Sequence, residues 1–171
     1  MHEGKGGKIG AMSPTTEERI QRLEDLEAIK QLKHRYATYC DDGYPADLLA
    51  PLFTENAIWD GHSLGRFEGR EAIRAFFAGC SKTVTFAVHH VTNPVISLDG
   101  DCATGDWVLW QPIVFARGNR AAWLAARYHD RYLRVGGEWR FEHVDVDVRA
   151  LSPYESGFAQ VLIGDFLAPV R

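Results

Sequence analysis

The second half of the chain consists of long extended segments separated by short turn sequences, and this feature constrains the fold more than any other. The pattern predicts four strands, over residues 85–98, 102–116, 121–135 and 138–151. The sequences between them are Asp-Gly, Arg-Gly-Asn and Gly-Gly, which are strong hairpin signals. Strands joined by such short turns pair as antiparallel neighbours. We therefore expect an antiparallel meander.

The first half of the chain predicts helices instead. Apolar residues recur every three or four positions from Ile20 to Cys40, with charged and polar residues between them, which indicates an amphipathic helix. Thr15 or Thr16 can cap its start, and Gly43 stops it. The other predicted elements are a helix over residues 46–53, a strand over 56–60 and a helix over 69–78 closed by Gly79.

Helices followed by an antiparallel meander predict an α+β domain in which the helices cover one face of the sheet. If the sheet is strongly curved with the helices on its concave side, an apolar pocket remains between them. A chain of 171 residues that is 46% hydrophobic fits one such domain. We expect this domain over residues 14–171, and a disordered extension over residues 1–13, which carry Gly and Lys but no apolar run.

Composition narrows the possible partners. A net charge of −4 and a pI near 6.0 argue against nucleic acid or an anionic membrane surface, since both need a basic face. No apolar run approaches the roughly 20 residues of a transmembrane helix, and the N-terminus does not resemble a secretory signal. Cys40, Cys80 and Cys102 indicate neither a disulfide framework nor a zinc site. We expect a cytoplasmic protein with a small-molecule partner.

Two adjacent histidines, His89 and His90, lie in the middle of the first predicted long strand. Neighbouring strand residues point to opposite faces, so only one of them can face the interior. The mixed pattern around them does not decide which one. On the predicted long helix, Asp41 lies about 140° from Tyr36 at the edge of the buried stripe. Its carboxylate is either a solvated group at a helix end or a partner for a histidine.

Other polar residues give weaker signals. Arg149 shares the parity of two aspartates in a valine-alternating strand, so it lies on an ion-paired outer face or anchors an anion or carbonyl. The histidines at positions 62, 89, 129 and 143 lack the spacing of a metal site. No glycine-rich phosphate loop follows a strand and opens a helix. We therefore expect neither a metal nor another cofactor.

Four segments together resemble a known family. Residues 26–36, then Asp41, then residues 88–96 and 103–107 are similar to the SnoaL-like branch of the nuclear transport factor 2 superfamily. Within it the chain is most like the bile-acid 7α-dehydratases, and more distantly like the scytalone dehydratases and hexachlorocyclohexane dehydrochlorinases. The similarity spans roughly residues 18–153.

The resemblance implies a cone-like α+β barrel of mostly antiparallel strands, with three N-terminal helices enclosing a pocket. It implies a His–Asp dyad that acts without a cofactor. By position, His89 matches the catalytic base, Asp41 its carboxylate partner, Tyr36 a pocket tyrosine and Arg149 an arginine on the final strand. The chain departs from the bile-acid dehydratases at Gln111, where they carry an aspartate, and this departure bears on the substrate.

The expected function is therefore a cofactor-independent, dehydratase-type lyase acting on a hydrophobic polycyclic or aromatic molecule. The alternatives are a carbon–carbon lyase that releases formaldehyde from a lignin-derived aromatic, a ketosteroid-type isomerase, and a non-catalytic binding or assembly domain. The resemblance also implies a homo-oligomer, a trimer or else a dimer. Besides Gln111, the candidate substrate-binding residues are the aromatic Trp59, Phe77, Trp107, Trp110 and Trp123.

Overall fold

Helix α1 (Thr16–Asp41) begins at a capping box that the sequence encodes locally. The Thr15 side chain accepts a hydrogen bond from the Glu18 N–H (3.2 Å), and the Glu18 carboxylate accepts one from the Thr15 N–H (2.7 Å). A cap of this kind stabilises a helix by about 1 kcal/mol. The helix ends just before Gly43, whose φ of 87° suits glycine. The long helix predicted from the sequence is confirmed, but its buried face begins only at Asp25, and Ile20 and Leu23 are 51% and 65% exposed.

The computed structural model describes residues 13–166, so the predicted N-terminal extension lies almost wholly outside the described residues. Two further helices follow α1, namely α2 (Ala46–Leu49) and α3 (Arg70–Thr83). The strands are β1 (Phe53–Asp60), β2 (Arg66–Glu68), β3 (Val84–Ala87), β4 (His90–Asp99), β5 (Cys102–Phe115), β6 (Arg120–Val135) and β7 (Glu138–Pro153). None of the described helices is both long enough and apolar enough to cross a membrane.

The seven strands form one sheet in the order β2-β1-β7-β6-β5-β3, and β4 also pairs with β5. The pairs β4–β5, β5–β6 and β6–β7 are antiparallel, which confirms the predicted meander. β1 joins β7 in parallel, so the sheet is mixed. The sheet is curved but not closed, and the three helices lie against it. The predicted cone-like α+β fold is confirmed.

The first predicted long strand is in fact two strands. β3 ends at Ala87 and β4 begins at His90, and both pair with β5. At the break, the His89 N–H donates to the carboxylate oxygens of Asp41, at 2.9 and 3.1 Å, instead of to a strand carbonyl. The Asp41 side chain at the end of α1 thus takes the place of a neighbouring strand as hydrogen-bond partner. His89 therefore belongs to neither strand, and the alternation of side chains is interrupted there.

Two predicted helix boundaries are also wrong. The helix predicted over residues 46–53 ends at Leu49, because Pro51 lies in a 3₁₀ turn over Ala50–Leu52 and Phe53 already belongs to β1. Helix α3 does not stop at Gly79 but continues to Thr83. Glycine costs a helix interior only about 1 kcal/mol, so the surrounding contacts of α3 override it.

The core lies between α1 and the inner face of the sheet. Side chains alternate along β5 and β6, so every second residue is buried. At one end of this interior, aromatic rings from α1, β1, α3 and β7 meet, and Tyr36, Phe53, Phe77 and Phe141 are at most 2% exposed. Toward the break between β3 and β4 the interior stays open. This opening is the candidate site.

Candidate active site

Asp41 and His89 form a close pair at the wall of the interior. Asp41 is the last residue of α1, and its Oδ1 lies 2.6 Å from Nδ1 of His89. The same carboxylate accepts the His89 backbone N–H, so side chain and main chain are held together. The His89 side chain is only 7% exposed and that of Asp41 27%. By contrast, His90 is exposed on β4.

This contact determines the tautomer of the neutral imidazole. A carboxylate beside Nδ1 keeps a proton on that nitrogen and leaves the lone pair on Nε2. Among residues 13–166, no side chain or main-chain group makes a hydrogen bond to Nε2 of His89. The ring lines a cavity, so a molecule bound there meets an imidazole ready to accept a proton.

The cavity has a volume of about 180 Å³ and a mostly apolar wall. Helices α1 and α3 form one side of it, and the inward-facing residues of β5, β6 and β7 form the other. Besides His89, Tyr36 and Gln111, the lining includes Cys40, Tyr44, Trp59, Phe76, Phe77, Cys80, Leu109, Ile113, Leu124, Tyr128 and Val146.

Tyr36 presents a phenol to this cavity five residues before Asp41 on α1. Its hydroxyl oxygen accepts a hydrogen bond from Nε1 of Trp59 at 3.0 Å. Burial raises the pKa of Tyr36 well above its usual value, and burial likewise raises the pKa of Tyr128. Both phenols therefore keep their protons, and Tyr36 can donate one hydrogen bond while accepting another.

Gln111 is the amide side chain of the described cavity wall. The residue is 3% exposed, and none of its side-chain atoms bonds to another group within residues 13–166. Its carbonyl and amide groups can therefore accept from and donate to a bound molecule. The thiols of Cys40 and Cys80 are less suited to chemistry, because burial raises the pKa of Cys80 to about 12 and that of Cys40 well above its usual value. In the part of the chain described, no three metal-binding side chains cluster.

Of the predicted aromatic residues, Trp59 and Phe77 line the cavity and three tryptophans do not. Trp107 is buried elsewhere in the core, where its Nε1 donates to the Tyr132 hydroxyl at 2.9 Å. Trp110 and Trp123 stack on each other at 5.4 Å on the outer face of the sheet. Trp110 alternates with the inward-facing Leu109 and Gln111, and this parity sends its ring outward. These three tryptophans thus lie away from the cavity. That they bind substrate stays a prediction.

Arg149, which was predicted as a site residue, also lies away from the cavity. Its side chain is 63% exposed and lies 3.6 Å from the carboxylate of Asp147, on the outer face. The inner face of β7 is occupied instead by the valines that alternate with the aspartates. Within this chain, Arg149 contacts neither His89 nor the cavity.

A buried ion pair lies deeper in the interior, and sequence analysis missed it. Nζ of Lys33 is 2.7 Å from Oδ2 of Asp130, and both side chains are 0% exposed. The same oxygen accepts the Tyr132 hydroxyl at 2.8 Å. The ammonium also lies 3.2 Å from the ring centre of Tyr128, a residue that lines the cavity. Burial lowers the pKa of Lys33 and raises that of Asp130.

Sequence analysis also missed Tyr44 and Tyr128 as cavity residues. Tyr44 follows Gly43 with a φ of 58°, and its ring lies edge-on to His89 at 6.4 Å. The turn after α1 thus directs this ring toward the imidazole. For Tyr128 a signal existed, since it shares the inward parity of Leu124 and Ala126 on β6.

Comparison with known proteins agrees with this architecture. The model of the SnoaL-like domain family matches residues 21–145. A type 2 hexachlorocyclohexane dehydrochlorinase superposes with a TM-score of 0.75 at 22% identity, covering 88% of this chain and 97% of that one. A proposed scytalone dehydratase from Novosphingobium aromaticivorans superposes with a TM-score of 0.74 at 19% identity, covering 90% and 99%. At such identities the likeness concerns the fold.

A third structure is somewhat more similar in sequence. It is a protein from Novosphingobium aromaticivorans that has been proposed to be an aromatic ring hydroxylase. It is 27% identical, with a TM-score of 0.71, and the match covers 77% of this chain and 94% of that one. The three structures carry different enzyme names on one fold. The site, not the fold, must therefore decide the chemistry.

Proposed function

The chain belongs to the SnoaL-like domain family, and from that premise we propose that it is a cofactor-independent lyase of the dehydratase type. It removes a proton from carbon and expels a leaving group from a hydrophobic small molecule. The observation that carries the proposal is the 2.6 Å contact between Asp41 and Nδ1 of His89, whose side chain lines an apolar cavity.

In this mechanism Nε2 of His89 is the base. A histidine suits the task because its ordinary pKa lies near neutral pH. Asp41 holds the ring in the tautomer that leaves Nε2 unprotonated, and it stabilises the imidazolium that forms when the proton arrives. Because the carboxylate also accepts the His89 backbone N–H, Asp41 is held beside the imidazole by two kinds of contact.

Tyr36 is the proposed hydrogen-bond donor to the oxygen that gains charge, either an enolate or a departing hydroxyl. Its raised pKa keeps the phenol protonated, and the Trp59 N–H fixes the position of its oxygen. Removing a donor of this kind from an enzyme commonly costs a factor of about 10²–10³ in rate. Gln111 supplies a second polar contact that orients the substrate.

The size of the cavity limits the reacting part of the substrate. A cavity of roughly 150 Å³ in another protein binds benzene, whereas sites for drug-sized ligands measure roughly 300–1,000 Å³. At about 180 Å³, this cavity accommodates a single ring and its substituents. A polycyclic skeleton would extend beyond it. We therefore propose that the reacting part is one ring, aromatic or alicyclic.

Product analysis tests the proposal and separates it from its alternatives. The purified protein is incubated with a panel of hydroxylated and halogenated single-ring compounds, and products are identified by mass spectrometry. Loss of water or hydrogen halide is the expected result. Release of formaldehyde would indicate a carbon–carbon lyase, and a product of unchanged mass an isomerase. Either outcome would contradict the proposal, as would equal product formation by His89→Ala.

We also propose that the chain self-associates through the outer face of its sheet. Trp110, Trp123, Tyr154 and Phe158 form a cluster there, with ring centres 5.4 to 5.5 Å apart along the chain of contacts. Trp110 is 39% and Tyr154 58% exposed. Exposed aromatic clusters of this kind are common at protein interfaces. The cytoplasmic location stays a prediction from composition.

A further inference from the structure

A second, open groove lies on the other side of the cavity wall. Its volume is about 490 Å³ and its surface is mostly apolar. Three side chains, Leu64, Phe115 and Leu151, line both the cavity and the groove. They come from three separate places in the fold: the 3₁₀ turn after β1, the end of β5 and the end of β7. These three side chains therefore lie between the two spaces.

The far side of the groove is formed by residues 163–166. They belong to a segment, 161–166, that is hydrogen-bonded to β7. The Leu151 N–H donates to the Leu162 carbonyl at 2.9 Å, and the Gly164 N–H donates to the Leu151 carbonyl at 2.7 Å. Phe166 stacks on Phe115 at 4.9 Å and is 5% exposed. These contacts fix the segment beside the groove.

Within this segment, two neighbouring apolar residues differ in where they face. Ile163 lines the groove and is nevertheless 58% exposed. Leu162 is similarly exposed, at 55%, but does not line the groove. Exposed apolar surface on a groove that adjoins an apolar cavity is surface that an apolar ligand would cover.

We propose that the substrate has two parts, a ring that reacts beside His89 and an apolar side chain that passes between Leu64, Phe115 and Leu151 into the groove. The inference rests on the proposed function, because it takes the cavity as the substrate site. It extends that function by naming the class: a ring compound with a linear apolar chain of several carbon atoms. The cavity alone would accept only the ring.

Binding of 4-alkylphenols, from 4-ethylphenol to 4-octylphenol, tests the two-part site by isothermal titration calorimetry. Each methylene buried in the groove should tighten binding about three- to fourfold, as transfer of a methylene from water predicts. The gain in affinity should begin once the alkyl chain of the phenol is long enough to extend from the cavity into the groove. Affinity that stays flat across the series would overturn the proposal, as would absence of binding.

Two matched variants test where the alkyl chain of the phenol binds. Ile163→Asp should weaken 4-octylphenol at least tenfold while leaving 4-ethylphenol unchanged, whereas Leu162→Asp should leave both unchanged. Equal effects of the two variants would overturn the proposal. These measurements follow binding and not turnover, and 4-alkylphenols carry no leaving group that a lyase could expel. They therefore test the two-part site alone, and a failure of the product analysis would refute the proposed function while leaving the two-part site standing.

Discussion

Two histidine–aspartate pairs in this molecule share one geometry and differ in their surroundings. In each, Nδ1 of the histidine lies 2.6 Å from a carboxylate Oδ1: His89 with Asp41, and His129 with Asp106. The side chains of the first pair are 7% and 27% exposed, those of the second 50% and 64%. The first pair faces the cavity on the inner side of the sheet, and the second faces solvent on its outer side.

The difference shows that the contact alone does not make a site. Around His129 and Asp106, water competes for both groups and screens their charges, so the pair contributes little. Around His89 the wall is mostly apolar and the side chain is only 7% exposed, and the backbone N–H adds a further bond to the same carboxylate. The cavity therefore turns an ordinary pair into a positioned base.

The largest expected effect comes from breaking the inner pair. Asp41→Asn and His89→Ala should each lower kcat by about 10²–10⁴, the contribution that a positioned base commonly makes. Circular dichroism should show the fold retained, since both residues lie at the edge of the cavity. The matched variants Asp106→Asn and His129→Ala, made in the outer pair, should keep full activity. An equal loss in both sets would remove the distinction between the two pairs.

A second comparison is between the His89–Asp41 pair and the fully buried pair of Lys33 and Asp130. Lys33→Met should destabilise the protein by about 3–5 kcal/mol, because it leaves the Asp130 carboxylate buried without its cation. The double variant Lys33→Met/Asp130→Asn removes both charges and keeps an acceptor for Tyr132, so it should be more stable than Lys33→Met. Urea unfolding measures both. A double variant less stable than the single one would contradict this account of the buried pair.

Tyr36→Phe should lower kcat by about 10²-fold if the phenol donates to the developing charge. It should also destabilise the fold by about 1–3 kcal/mol, since the buried Trp59 N–H loses its acceptor. Trp59→Phe, which removes that donor and keeps the phenol, should reproduce only part of the loss in rate. Full activity in Tyr36→Phe would restrict the chemistry to the histidine and aspartate.

Alkaline titration distinguishes buried from exposed groups in the same way. Burial raises the pKa of Tyr36, Tyr44, Tyr128 and Tyr132. Above about pH 10 the unfolded chain loses phenol protons that the folded chain keeps, so the unfolding free energy falls as pH rises, by up to about 1.4 kcal/mol per pH unit for each such group. The absorbance change of tyrosine ionisation should appear at alkaline pH for the exposed tyrosines, and for the buried ones only when the protein unfolds. Ionisation of all tyrosines in the folded protein would disprove the burial.

The smallest effect on the isolated chain is expected on the outer face. Trp110→Glu should change the unfolding free energy of the chain itself by no more than about 0.5 kcal/mol, as surface substitutions usually do. It should nevertheless lower the mass measured by light scattering, because the aromatic cluster would lie between copies. An unchanged mass, or a wild-type protein that is already monomeric, would rule out this face as the contact.

Most of the fold follows from local sequence signals. The capping box at Thr15, the periodicity of α1 and the glycine turns between β4, β5, β6 and β7 each act within a few residues, so pattern analysis finds them. The break at His89 does not follow, because the group that causes it, Asp41, lies 48 residues earlier. Alternation assumes an unbroken strand, and for that reason it could not choose between His89 and His90.

The candidate site was predictable only in part. The resemblance to a family singled out Asp41, His89 and Tyr36. In the structure Tyr36 and His89 line one cavity, and Asp41 contacts His89. The resemblance also predicted Arg149 as a site residue, although Arg149 shares its position in the strand alternation with two aspartates, which indicated the outer face. Lys33 and Asp130 are 97 residues apart and give no local signal, since a lysine on an amphipathic helix ordinarily faces water. Such contacts become visible only in three dimensions.

Transfer of a carbon-bound proton to His89, held by Asp41, is the central claim. It is tested most directly by following deuterium from a substrate labelled at the reacting carbon, once product analysis has identified that substrate. With the wild-type protein, the labelled compound should react more slowly than the unlabelled one and release its deuterium to water. In Asp41→Asn, release of the label should fall about 10²–10⁴-fold together with product formation. Release at an unchanged rate in Asp41→Asn, or product that keeps its label, would contradict the account.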